Sequence, residues 1–366
     1  MTIRQWLLDR FFAREVDLRV QQALKVVDDK YWRNVSDGQS TTRPWYQVRE
    51  QLERVAGVCR VNPLAARLVA MTTDFVIGAW VEVEGDPWVL SFWNHPLNGL
   101  GRRVYRWCDE LSRSGELFLV LSRNPVSRMS YVREVPAILI DEIRTSPDDL
   151  ERELAYHQLT DDTVGRAWEG RESDADQIML HYAINRPVGE VRGTSDLAQI
   201  VTWLDRYDTW LEDRVRINRY KGAYLWQVKI EGALPGQLEA KRAQYSRVPA
   251  PGSIIVTDGH ETWTAVQPRI DADDVEADGK ALRLMIAAGA GVPLHFLAEG
   301  ESATRATARE MGTPTFRHFA HRQYIFRQIV EDVIRAAAAR AGHPDVEVRV
   351  TFESVFGEGS KATEQK

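Results

Sequence analysis

Three groups of residues in this chain have types and spacings that chemistry could use. Asp271, Asp273 and Asp274 fall within four positions, and hard cations prefer carboxylate oxygens. The same acids at the start of a helix would stabilise its positive end with no ion present. His318 and His321 lie three apart, but an HxxH pair lacking the glutamate and third ligand of zinc enzymes is a weak metal signal. With Arg317 and Arg322 alongside, these histidines read as decoration of a solvent or subunit face. Arg192-Gly193-Thr194-Ser195 could cradle a phosphate at a helix start, yet it has too few glycines to be specific. The chain contains neither a GxxxxGK[ST] loop nor a GxSxG elbow. No catalytic residue, metal or cofactor is expected.

The elements that would carry these groups follow from periodicity and punctuation. Residues 1 to about 75 read as helical, broken around Ser36 to Pro44 and at Asn62-Pro63. Val76 to Val83 reads as a strand, followed by a turn and a second extended run at Trp88-Val89-Leu90. Leu97 to Gly115 is helical, Glu116 to Ser122 and Val135 to Ile143 are strand-like, and Ser146-Pro147-Asp148-Asp149 is a helix-start signal. Gln177 to Ala183 is a short apolar strand. From Ser195 a helical stripe runs through Leu197, Ile200, Val201, Leu204, Tyr207, Leu211 and Val215. Tyr224 to Val266 is rich in Gly, Pro and β-formers, with strand candidates Tyr224 to Ile230 and Ser253 to Thr257. Lys241 and Arg242 sit on a short helical piece, and Asp258-Gly259 reads as a hairpin turn. A second helix spans Ile270 to Ala290. After it, the small-residue stretch Ala298 to Thr313 precedes a long helix carrying Phe316, Phe319, Gln323, Phe326 and Val330. One strand, Val346 to Phe352, remains before a polar tail.

Composition frames these parts. The chain has 366 residues, a net charge of −6 and 27% charged residues of both signs interspersed. That disfavours tight, basic-face binding of nucleic acid. It fits an ordinary acidic protein as well as one that surrounds DNA without gripping it. Cys59 and Cys108 are isolated, and no stretch approaches the length of an uncharged membrane span. These features imply an aqueous, reducing compartment and no membrane.

The order of parts from about residue 178 onward resembles the portal proteins of tailed bacteriophages, of the long-tailed phage type. The residues that carry the resemblance are Ile178-Met179-Leu180-His181-Tyr182, Arg192-Gly193-Thr194-Ser195-Asp196 and Gly291-Val292-Pro293-Leu294-His295-Phe296-Leu297. It implies an α+β subunit with a wing at 1–190, a first stem helix at 191–222 and a clip at 223–266. A second stem helix at 267–292 and a tunnel-loop region at 293–313 follow. A long wing helix at 314–343 and a C-terminal strand with a disordered tail at 344–366 complete it, with the crown reduced or absent. By the same resemblance Ser302, Thr304, Arg305 and Arg309 would line a DNA channel. Trp226, Lys241, Arg242 and Tyr245 would contact the terminase motor and the adaptor. The implied assembly is a ring of twelve copies at one capsid vertex of the virion, formed in the host cytoplasm. Its implied partners are the terminase large subunit, a head-completion adaptor, the major capsid and scaffold proteins, and double-stranded DNA passing without sequence specificity. A soluble hydrolase with an acidic metal site at Asp271–Asp274 is the alternative reading.

Overall fold

A computed structural model describes residues 42–147, 149–160, 164–222, 225–232, 234–245, 259–266, 275–297 and 305–355. The described chain forms two units. One runs to Leu204 and resumes at Arg283; the other spans Asp205–Leu282.

The first unit opens with α1 (Trp45–Val61), which turns Val48, Leu52, Val55 and Val58 inward at helical spacing. Asn62 ends it and caps α2 (Pro63–Val76): its Oδ1 accepts the N–H groups of Leu64 and Ala65 at 2.9 and 3.0 Å. After β1 (Val81–Gly85), residues 88–90 are helical rather than extended. Pro87 suits the first turn of α3 (Pro87–Trp93), and burial of Val89, Phe92 and Trp93 on one face decides the conformation. Next, α4 (Leu100–Ser114) closes on Gly115 in the left-handed region, φ 78°.

Six strands then build one sheet. They are β2 (Glu116–Arg123), β3 (Ser130–Val135), β4 (Ile140–Ser146), β5 (Asp149–Gln158), β6 (Arg166–Glu169) and β7 (Gln177–Ala183). Their order is β3-β2-β7-β6-β5-β4, antiparallel throughout except where β6 meets β7. The extended run expected over 135–143 is divided by Pro136, which donates no N–H, and by a 3-10 turn at Ala137–Leu139. The helix expected from Ser146 is instead the turn between β4 and β5, residue 148 itself lying outside the described residues. Pairing of β5 with strands on both sides overrides the local helix signal. Val48 and Leu52 pack against Phe118, Val120, Ile140, Tyr156, Trp168 and Met179 to form the core beneath this sheet.

Residues 195–200 pass through hydrogen-bonded turns before α5 (Val201–Gly222) begins, later than Ser195 suggested. Leu197, Ile200, Val201 and Leu204 are buried, but Leu211 and Val215 are 41% and 52% exposed. The stripe thus leaves the core where the first unit ends. In the second unit β8 (Leu225–Ile230) pairs antiparallel with β9 (Glu261–Val266), and α6 (Pro235–Gln244) lies between them in sequence. The strand proposed at Ser253 to Thr257 lies outside the described residues, whereas β9 was not anticipated.

The chain returns through α7 (Val275–Gly289). A side chain at Gly289 would meet Ile200 Cγ2 at 2.2 Å, so helix end and turn are in contact there. Leu294–Leu297 forms a 3-10 turn that sets Phe296 beside Phe75, which stacks on Phe319 at 4.7 Å between ring centroids. Then α8 (Arg305–Ala341) runs 37 residues through Pro314 and buries Phe319, Phe326, Val330, Val333 and Ala337. Residues 305–313, expected as loop, are helical, in keeping with Arg305, Ala306, Ala308, Arg309, Glu310 and Met311 as strong helix formers. Finally β10 (Val348–Phe352) pairs antiparallel with β1, Val83 opposite Val350. No helix among the described residues is long and apolar enough to cross a membrane.

Candidate functional site

The segment Arg192–Asp196 is bonded from many sides within the first unit. The Arg192 guanidinium meets both carboxylate oxygens of Glu116, at 2.8 and 2.7 Å, and donates to the carbonyls of Ile140 and Ala137. It also lies over the rings of Trp45 and Phe118. Glu116 Oε1 accepts the Gly193 N–H at 3.0 Å. Both side chains are almost sealed from solvent, 6% and 1% exposed. Burial alone would raise the Glu116 pKa, but the Arg192 charge outweighs it and, with His181, lowers it to about 2.

His181 completes the cluster from β7. Its ring stacks on Phe118 at 4.3 Å, Nδ1 lies 2.8 Å from Glu153 Oε1, and Nε2 stands 3.4 Å from Glu116 Oε1, outside hydrogen-bond geometry. Tyr156 Oη donates to the other Glu153 oxygen at 2.7 Å. Burial opposes the charged ring, but Glu153 and Glu116 outweigh it and raise the His181 pKa to about 9. The imidazolium therefore persists at neutral pH. A cavity of about 160 Å³ touches Glu153, Tyr156, Arg171, His181 and Tyr182. That is room for a few waters and below the size of ordinary ligand pockets. Bonded to Glu153 and stacked on Phe118, this buried histidine joins the strands of the sheet.

The following residues tie this joint to α8. Ser195 Oγ donates to the Ser112 carbonyl and accepts the Leu197 N–H. The Asp196 carboxylate accepts Ser112 Oγ, Asn185 Nδ2 and the Arg322 guanidinium, the last at 2.7 Å. Arg43 reaches Glu190, the Gly193 carbonyl and Thr194 Oγ1. The motif that could have cradled a phosphate is saturated by the protein's own groups. Neither Glu116 nor Glu153 stood out in the sequence. The signal available was a lone acid opening the apolar run Glu116 to Leu121 and a histidine inside Ile178 to Tyr182, since charge in a buried strand requires a partner.

The other sequence-based candidates are scattered. Lys241 pairs with Glu261, and Tyr245 Oη donates to the same carboxylate at 2.9 Å while its ring meets Trp263 edge-on. Hydrogen bonds from Lys241 and Tyr245 lower the Glu261 pKa. These two side chains thus lock α6 onto β9, whereas Arg242 is exposed. Trp226 lies on β8 and Arg305 and Arg309 on α8, their side chains outside the described residues; Ser302, Thr304 and Asp271 to Asp274 lie outside them altogether. Among the described residues no cluster suited to a metal ion occurs. His318 and His321 are exposed on α8, while Arg322 beside them is buried. Cys59 and Cys108 are free thiols, and burial pushes Cys108 up to about 12.

No protein-family profile matches this sequence, and no curated protein matches it. Solved structures do share its fold. A chain from the neck of an empty gene transfer agent particle, computed with C6 symmetry, superposes with TM-score 0.61 and 14% identity over 81% of this chain and 84% of its own. A chain from the virion of a native gene transfer agent particle gives TM-score 0.61 and 16% identity, covering 87% and 88%. An HK97 family phage portal protein from Corynebacterium diphtheriae is a weaker match, at TM-score 0.45 and 10% identity over 81% and 94%. The chain is an α+β protein that shares its fold with chains of gene transfer agent neck and virion particles.

Proposed function

We propose that this chain is a structural portal subunit, which forms a ring at one capsid vertex through which DNA enters and leaves. The observation that carries the reading is the shared fold over more than four-fifths of the chain with subunits of gene transfer agent neck and virion particles. One such neck was computed with C12 symmetry, which supports a ring of twelve for this chain too. The two-unit division supports it as well: a small β-containing unit is joined to the larger one through two helices, α5 and α7. In this reading the small unit is the clip that meets the terminase large subunit and the head-completion adaptor. Arg242 offers an exposed contact, and Lys241 and Tyr245 act by holding the clip rigid. Ser302, Thr304, Arg305 and Arg309 border the channel, where weak, salt-screened contacts guide sliding DNA rather than bind it.

The test is deletion of Gly232 to Pro249 in a particle-forming system that supplies all other head and motor proteins. The expected outcome is heads that assemble with the portal incorporated but contain no DNA. Normally filled heads would refute the clip assignment.

A further inference from the structure

We propose that the exposed face of α8 from Arg317 to Gln328 is a contact surface for the phosphate backbone of duplex DNA. Between Glu310 and Glu331 the chain runs twenty residues without an acid, although its net charge is −6. The structure sorts the bases in that run. Arg322 turns inward and is neutralised by Asp196 at 2.7 Å. Arg317, His318, His321, Tyr324 and Gln328 are exposed at spacings of three and four along one helix face. Arg327, half-buried beside them, lies over the Tyr324 ring at 5.1 Å, and Gln328 Nε2 donates to Tyr324 Oη at 2.9 Å. Among the described residues no carboxylate pairs with Arg317, Arg327 or His321. The next base, Arg335, is already paired with Glu331 at 3.0 Å, which ends the stripe.

Arg317 and Arg327 stand about 15 Å apart along the helix, a span over which a duplex presents several phosphates. No aliphatic side chain is exposed on the face, and its exposed Tyr324 ring is engaged by Arg327 and Gln328. Its Arg, His, Tyr and Gln side chains are types that donate to phosphate oxygens. The charge is modest, so the expected contact is weak and indifferent to sequence. The inference rests on reading the chain as a subunit that handles DNA, but its argument uses this face alone.

The test is fluorescence anisotropy of the full chain with a short random-sequence duplex across a salt series. The double variant Arg317→Ala, Arg327→Ala should bind roughly several-fold more weakly at low salt, with a log K against log salt slope shallower by about two. Arg335→Ala should leave the slope unchanged. An unchanged slope in the double variant, or no duplex binding by the parent chain, overturns the proposal. So does an acidic peptide that competes as well as unlabelled duplex at equal charge, which would identify a protein partner. Loss of assembly in the double variant with duplex binding intact would mark the face as a subunit contact and also overturn it. A parent chain that binds duplex through this face yet never forms rings would uphold the inference and contradict the portal function.

Discussion

The Arg192–Glu116–His181 joint places three charges where the sheet would otherwise be apolar, so each depends on its partners. Glu116→Gln keeps the shape but leaves a buried guanidinium unneutralised, which costs about 3–5 kcal/mol. Exposed Glu172, paired with Arg152 in solvent, should lose far less on the same change. Denaturant unfolding of both variants checks the contrast; equal losses would remove the joint from the account. The pH dependence follows from the same residues. The His181 pKa rises from 6.5 to about 9 on folding, so its contribution is complete below about 6.5 and lost as pH climbs through about 9. The Glu116 pKa falls from 4.5 to about 2, so its contribution is present above about 4.5 and lost as pH drops through about 2. Thermal melts should therefore show a plateau near pH 4.5 to 6.5 from these groups and a decline toward pH 9. His181→Gln should flatten the alkaline side, and an unchanged slope would show that the ring does not titrate there.

Backbone meets backbone closely where the chain leaves the sheet for α5. A Cβ at Gly193 would stand 2.2 Å from the Gly115 carbonyl oxygen, and one at Gly115 would stand 2.2 Å from the Thr194 carbonyl carbon. The two backbones touch, with no side chain able to give way. Gly193→Ala should therefore destabilise by about 3 kcal/mol or more. Gly236→Ala, with open space around it at the start of α6, should be neutral or stabilising by about 0.4–1 kcal/mol. Equal midpoints in denaturant would contradict this packing. Much of this scale was legible in sequence: Asn62-Pro63 marks the α1–α2 boundary, Ser114-Gly115 ends α4, and Gly342 follows α8. At 88–90 burial of one face decided the conformation and at 146–149 strand pairing overrode a helix-start signal, while at 305–313 the helix formers outweighed the small residues that suggested a loop. The candidate joint was half legible: Arg192 and His181 lie in segments that carried the resemblance, while Glu116 and Glu153 pair across 76 and 28 residues, beyond any local pattern.

For the whole molecule, the proposed portal role requires that each chain be one part of a ring. Leu211 and Val215 continue the buried stripe of α5 into solvent, and a neighbouring copy in a ring is the cover the portal reading supplies. Size decides this most directly. Sedimentation of the purified full chain at physiological salt should give a particle about twelve times the 41.8 kDa subunit mass, with a narrow distribution. A species that stays at 41.8 kDa across all accessible concentrations would contradict the account.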